Sequence, residues 1–315
     1  MGSNRHAITL IIGCTGCGKG AVGRALAERI GAEIISIDSM KVYRGMDIGT
    51  AKPSEEARSS IPHYLIDIVD PWDDYSVAQF VVDADRAIAD IASRNRPILC
   101  VGGTSLYIKA LSEGLFEGPS ANPEIRQRLT DEASASGNQV LHERLQRVDP
   151  DAADRIHVND LRRIVRALEV YEISGQPITS LQTQWDSLRT TYDCTFVGLA
   201  REKEAQSRRI NARVHKMMDL GLLDEVKKLL ELKRPLSTTA RKAVGYAELF
   251  DYLDQKVSLE QAVEKIKINS RQLAKGQRTW SKRNRKVRWF ELDDSSVVDE
   301  VVDKICNTQG MPWSN

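Results

Sequence analysis

The chain has 315 residues, 41% of them hydrophobic and 28% charged, which is ordinary for a globular enzyme. Its formal net charge of +1 does not mark it as a nucleic-acid binder, and five cysteines are too few for a disulfide framework. No apolar run approaches the roughly 20 residues of a membrane helix, and residues 1–6 lead so quickly into an apolar strand that no signal peptide fits. The expected protein is therefore cytoplasmic and makes no use of a membrane. Residues 8–12 (ITLII) are apolar and rich in β-branched side chains, as a buried strand requires. After a glycine-rich turn, Ala21, Val22, Ala25, Leu26 and Ile30 recur at helical spacing until Gly31 stops the helix. Residues 34–37 (IISI) predict a second strand ending at Asp38, and residues 98–101 (ILCV) a third ending at Gly102-Gly103.

Strands that alternate with helices give a parallel sheet covered on both faces, with ligands at the carboxyl ends of the strands. The texture changes at Gly118-Pro119-Ser120. Asn122, followed by Pro123, is a helix cap, and only helical periodicity follows as far as Gly175-Gln176-Pro177. Residues 119–190 therefore form an expected helical insertion in a core made of residues 1–118 and 191–315. Residues 194–200 (CTFVGLA) return to the sheet, and the remainder reads as mostly helical.

Gly13-Cys14-Thr15-Gly16-Cys17-Gly18-Lys19-Gly20 matches G-x-x-x-x-G-K between a strand and a helix, the context a phosphate loop needs. Backbone N–H groups and the helix N-terminus attract phosphate oxygens there, and Lys19 adds a point charge. The fold expected is thus α/β, a P-loop NTPase-like parallel sheet with a helical insertion domain. Two features of a nucleotide hydrolase are missing. Position 20 is glycine where a magnesium-holding hydroxyl is usual, and the third strand ends in glycines instead of an aspartate. Such a loop suits a site where diphosphate is the leaving group. Cys14 and Cys17 spell C-x-x-C, but with no second ligand pair nearby, small loop-filling residues are the better reading than zinc or redox chemistry.

The stretch from Asp38 through Ser39, Met40, Lys41 and Val42 to Gly49-Thr50-Ala51-Lys52-Pro53 resembles the hallmark segment of the tRNA dimethylallyltransferases, the IPP transferase family. Similar stretches follow in the same order: 62–67, 75–80, 101–109, Asn159-Asp160 with 162–169, Val244-Gly245-Tyr246, and 271–275 with Gln277, Thr279 and Trp280. The resemblance implies transfer of a dimethylallyl group from dimethylallyl diphosphate to the exocyclic amine of the adenosine beside the anticodon. It implies a tRNA anticodon stem-loop as partner, magnesium as cofactor with ligands unknown, and a monomer. Residues 13–20 would hold the donor diphosphate, Asp38 would accept the amine proton, and Thr104 would lie between donor and base. Arg213 would stabilise the leaving group.

Contacts to tRNA are expected from Ser39, Met40 and Lys41, and from Arg126, Arg162, Arg163, Ile164, Val165 and Arg166 in the insertion. Lys242, Gly245, Tyr246, Arg271, Lys275 and Arg278 complete the set. Charge spacing points the same way. Arg162, Arg163 and Arg166 fall on one helix face; Lys267, Arg271, Lys275, Arg278 and Lys282 form a stripe that Arg283 to Arg288 prolong; Arg209, Arg213 and Lys216 form another. One stripe alone is an ordinary solvated face. Three departures from the family pattern are Gly20, Lys41 in place of glutamine, and Gly276 in place of arginine. They leave open two alternatives, a weakened non-catalytic tRNA binder and a prenyltransferase of free adenine nucleotide.

Overall fold

The computed structural model describes residues 5–114, 118–186 and 192–313. Six strands, β1 (His6–Gly13), β2 (Glu33–Ile37), β3 (His63–Tyr64), β4 (Ile98–Gly102), β5 (Tyr192–Arg201) and β6 (Val287–Leu292), form one sheet in the order β3-β2-β4-β1-β5-β6. Every pairing is parallel. All carboxyl ends therefore lie at one edge, with Ile12 beside Gly102 and Gly102 beside Ile37.

Both faces of the sheet are buried, because successive side chains of a strand point to opposite sides. Ile8, Leu10 and Ile12 pack with Phe80, Ile88 and Ile108 from helices Val77–Ser93 and Ser105–Glu113. Ile11 faces the other way, onto Val22 and Leu26 of helix Lys19–Ile30 and Val301 and Ile305 of helix Val298–Cys306. A third apolar cluster joins Val42, Tyr43 and Met46 to helices Lys203–Asp219, Leu222–Leu230, Tyr246–Leu253 and Leu259–Ser281.

The chain divides into two compact units, Met1–Ser112 with Thr191–Asn315, and Glu113–Thr190. The second unit is helical. Asn122 caps helix Pro123–Ser136 by accepting from the amides of Glu124 and Ile125, with Pro123 in the first turn. Leu129, Leu141, Leu145, Ile164 and Leu168 form its core.

Two strands were not expected. The two-residue β3 is too short to show periodicity. β6 lies where the basic helix was read to continue. That helix stops at Ser281, because the Asn284 side chain turns the chain by accepting from the Lys286 amide. Lys267 also leaves the basic stripe: it is buried and pairs with Glu264 at 2.5 Å.

Candidate active site

The loop after β1 ends at Gly18, whose φ of 107° is a left-handed value that a side chain would strain. Helix Lys19–Ile30 starts there; the Ala21 and Val22 amides donate to the Gly18 carbonyl, which leaves the Lys19 and Gly20 amides at the helix N-terminus to face an anion. The Lys19 ammonium lies across the loop and donates to the Cys14 carbonyl at 2.7 Å. Side chains from distant segments fix the loop. The Thr15 amide donates to Gln277 Oε1 at 2.7 Å, and Gln277 Nε2 donates to the Gly103 carbonyl at 3.0 Å. Gln206 donates to the Thr15 carbonyl at 2.8 Å, and Arg213 donates to the Thr15 hydroxyl at 2.8 Å. Cys14 and Cys17 are buried as part of this packing, with free thiols.

Asp38 and Thr104 reach the same edge from β2 and β4. The close approach needs glycine at position 102, where a Cβ would sit 2.0 Å from the Ile37 carbonyl oxygen. Asp38 Oδ1 accepts from the Met40 amide at 2.9 Å, and Oδ2 has no hydrogen-bond partner among the described residues. One oxygen thus fixes the turn while the other is available to accept a proton. Thr104 Oγ1 accepts from the Ser39 amide at 3.1 Å, which makes its observed role that of holding the turn beside Asp38.

Lys41 and Arg213 lie within electrostatic reach of this carboxylate. Burial lowers the Lys41 ammonium from its ordinary value; Lys19, Arg213 and Arg24 push it the same way and Asp38 opposes them. Burial likewise lowers Arg213, again with Asp38 opposing, and its Nε is a buried donor with no partner. Among the described residues, none of Lys19, Arg24, Lys41 and Arg213 has a carboxylate in salt-bridge contact. A low-dielectric site with an excess of positive charge is built to stabilise a departing polyanion.

Magnesium finds little to hold it. Gly20 has no hydroxyl, the Thr15 hydroxyl accepts from Arg213, and among the described residues no group of three His, Cys, Asp or Glu side chains could hold a metal ion. These residues do not fit a protein-held magnesium ion.

The sequence profile of the IPP transferase family matches residues 41–284. The chain belongs to this family. A tRNA dimethylallyltransferase of Geobacter metallireducens is 45% identical over 284 residues, covering 90% of this chain and 92% of that protein. One from Carboxydothermus hydrogenoformans is 42% identical, covering 96% and 97%. Among solved structures, the tRNA isopentenylpyrophosphate transferase of Bacillus halodurans is 39% identical over 96% of each chain, with a TM-score of 0.69. A eukaryotic dimethylallyltransferase acting on tRNA is 27% identical, with a TM-score of 0.77, covering 95% of this chain and 77% of that one.

The other positions taken from the family pattern divide by exposure. Arg162, Arg163, Lys242 and Lys275 are exposed, and Ser39, Met40 and Lys41 are half-buried at the site. Ile164, Val165 and Tyr246 depart from the expectation of RNA contact in one respect: their side chains are buried, and Gly245 is buried beside Tyr246, so none of the four presents a side chain at the surface. Ile164 and Val165 belong to the core of the helical unit, and the Tyr246 hydroxyl donates to Glu225 at 2.6 Å.

Arg126 and Arg166 grip buried Glu169 at 2.9 and 2.6 Å. Arg271 donates to Asn211 at 2.6 Å and Arg278 to Gln206, so both brace helix Lys203–Asp219 behind the phosphate loop. Gly276 has open space around it, so its missing side chain leaves no packing defect. Gln206, Gln277 and Asn211 were not singled out as site residues. Their amides carry no charge pattern, and only the family match drew notice to Gln277.

Proposed function

We propose that this chain transfers a dimethylallyl group from dimethylallyl diphosphate to the exocyclic amine of the adenosine adjacent to the anticodon in tRNA, releasing diphosphate, and that it acts as a monomer in the cytoplasm. The observation that carries this reading is the Oδ2 of Asp38, without a hydrogen-bond partner among the described residues, at the sheet edge that bears the phosphate loop and within electrostatic reach of Lys41 and Arg213. The bond between the allylic carbon and the diphosphate oxygen breaks, and the electron pair leaves with diphosphate. Lys19, Arg213 and the loop amides stabilise that charge. The adenine nitrogen bonds to the allylic carbon and its proton passes to Asp38. Reaching this amine requires the base to leave its stack. Magnesium, the expected companion of the donor, would arrive on the diphosphate itself.

Label from radioactive dimethylallyl diphosphate should enter unmodified tRNA and not free AMP offered in parallel. Label in AMP would move the chain to the nucleotide-prenylating class. No label in either, with tRNA still bound, would make it a non-catalytic binder.

A further inference from the structure

The site described above lacks a hydroxyl at position 20, and the surroundings of Gly20 show what stands there instead. A Cβ on Gly20 would lie 3.6 Å from a terminal guanidinium nitrogen of Arg24. Positions i and i+4 of a helix share a face, and helical side chains lean toward the N-terminus. Arg24 therefore folds back over the first turn of helix Lys19–Ile30, the turn that opens on the phosphate loop. It is half-buried, and among the described residues no side chain accepts a hydrogen bond from it. Its charge also lowers Lys41, which follows β2, and His63, which begins β3. A half-buried guanidinium without an anionic partner, at the mouth of a phosphate loop, has its remaining desolvation cost offset only when an anion arrives.

We propose that Gly20 and Arg24 act as a pair that substitutes for a loop-held metal ion. Gly20 clears the space, and Arg24 supplies to the diphosphate the positive charge that a hydroxyl-bound magnesium ion would otherwise supply. The planar fork of arginine can engage two phosphate oxygens together, which Lys19 as a point charge cannot do. The ligand is the diphosphate group, held by Lys19, Arg24 and Arg213. This rests on the donor reading above and adds to it that donor affinity in this chain depends little on magnesium.

Inorganic diphosphate titrated calorimetrically into the full chain, with excess magnesium and separately with excess EDTA, tests it. The unaltered chain should bind in both, with affinities that differ by less than about tenfold. Arg24→Met should lose about ten- to a hundredfold in EDTA, the range of a charge-assisted hydrogen bond, and Arg24→Lys should lose less. Gly20→Ser combined with Arg24→Met should recover affinity in magnesium only. Unchanged binding by Arg24→Met in EDTA, or loss of binding by the unaltered chain in EDTA, would overturn the pair while leaving the donor reading intact. Failure to bind diphosphate in either buffer would remove the donor reading itself. Loss of EDTA-resistant binding in Arg24→Met, in a chain that labels no tRNA, would support the pair and discard the transferase reading.

Discussion

Asp38 has two oxygens in two different situations, and that division determines what its substitution should do. Oδ1 shapes the turn by accepting from the Met40 amide at 2.9 Å, while Oδ2 is free. Asparagine keeps an oxygen for the turn and removes the proton acceptor. Asp38→Asn should therefore bind donor and tRNA normally but lose about 10²- to 10⁴-fold in kcat, measured in single-turnover transfer. Turnover within a few-fold of the unaltered chain would assign the proton to another acceptor. Arg213 differs in kind. Its guanidinium holds the loop hydroxyl of Thr15, and its buried Nε has no partner. Arg213→Lys keeps the charge but not the fork, so it should weaken diphosphate binding by about tenfold or more and leave tRNA affinity unchanged, as read by calorimetry and filter binding.

Whole segments are held by single carboxylates, half-buried Glu225 and buried Glu169, and these were the least legible features of the sequence. Glu225 accepts from the amides of Asp47, Ile48 and Gly49 at 2.9, 2.8 and 3.2 Å and from the Tyr246 hydroxyl at 2.6 Å. Nothing local announces a partnership across 178 residues, or that of Thr15 with Gln277 across 262. Strands β1, β2, β4 and β5, the phosphate loop and Asp38 were legible because apolar runs and glycine spacing are local signals. The burial of Ile164 and Val165 was legible too, since helical periodicity puts them opposite Arg162 and Arg163. Family likeness pointed to contact with RNA where the periodicity pointed to core.

In the helical unit Glu169 is the corresponding hub. Burial pushes its carboxyl up, but Arg126, Arg166 and the Asn122 amide together outweigh that and hold it below its ordinary value. A depressed carboxyl stabilises the fold above its unfolded value, and the contribution is lost as pH falls through the folded one. Glu169→Gln should thus unfold more readily at neutral pH, by about 3 kcal/mol in urea titration. It should also show a flatter loss of stability than the unaltered chain as pH drops below about 4.3.

At the scale of the whole molecule, a net charge of +1 conceals a division of labour among cations. Spacing alone groups Arg162 with Arg166, and Arg271 with Lys275 and Arg278, as faces for a polyanion. Their partners separate them. Arg166 is committed to Glu169, Arg271 to Asn211 and Arg278 to Gln206. Arg162, Lys275, Lys282, Arg283, Arg285 and Lys286 are exposed and, among the described residues, bond to no acidic side chain. A phosphate contact releases counterions, so its loss lowers the slope of log affinity against log salt by about one per contact, whereas loss of an internal brace lowers stability and leaves the slope alone.

Arg162→Ala should therefore weaken tRNA binding and reduce the slope by about one with an unchanged urea midpoint, and a combined Arg283→Ala, Arg285→Ala and Lys286→Ala variant by about two to three. Arg166→Ala should do the reverse, shifting the midpoint down with the slope intact. Filter binding across a range of salt concentrations, paired with urea titration of each variant, separates the two classes. A reduced slope for Arg166→Ala at unchanged stability would mean that the arginine leaves Glu169 when tRNA binds, and that the internal pair is itself part of the RNA surface.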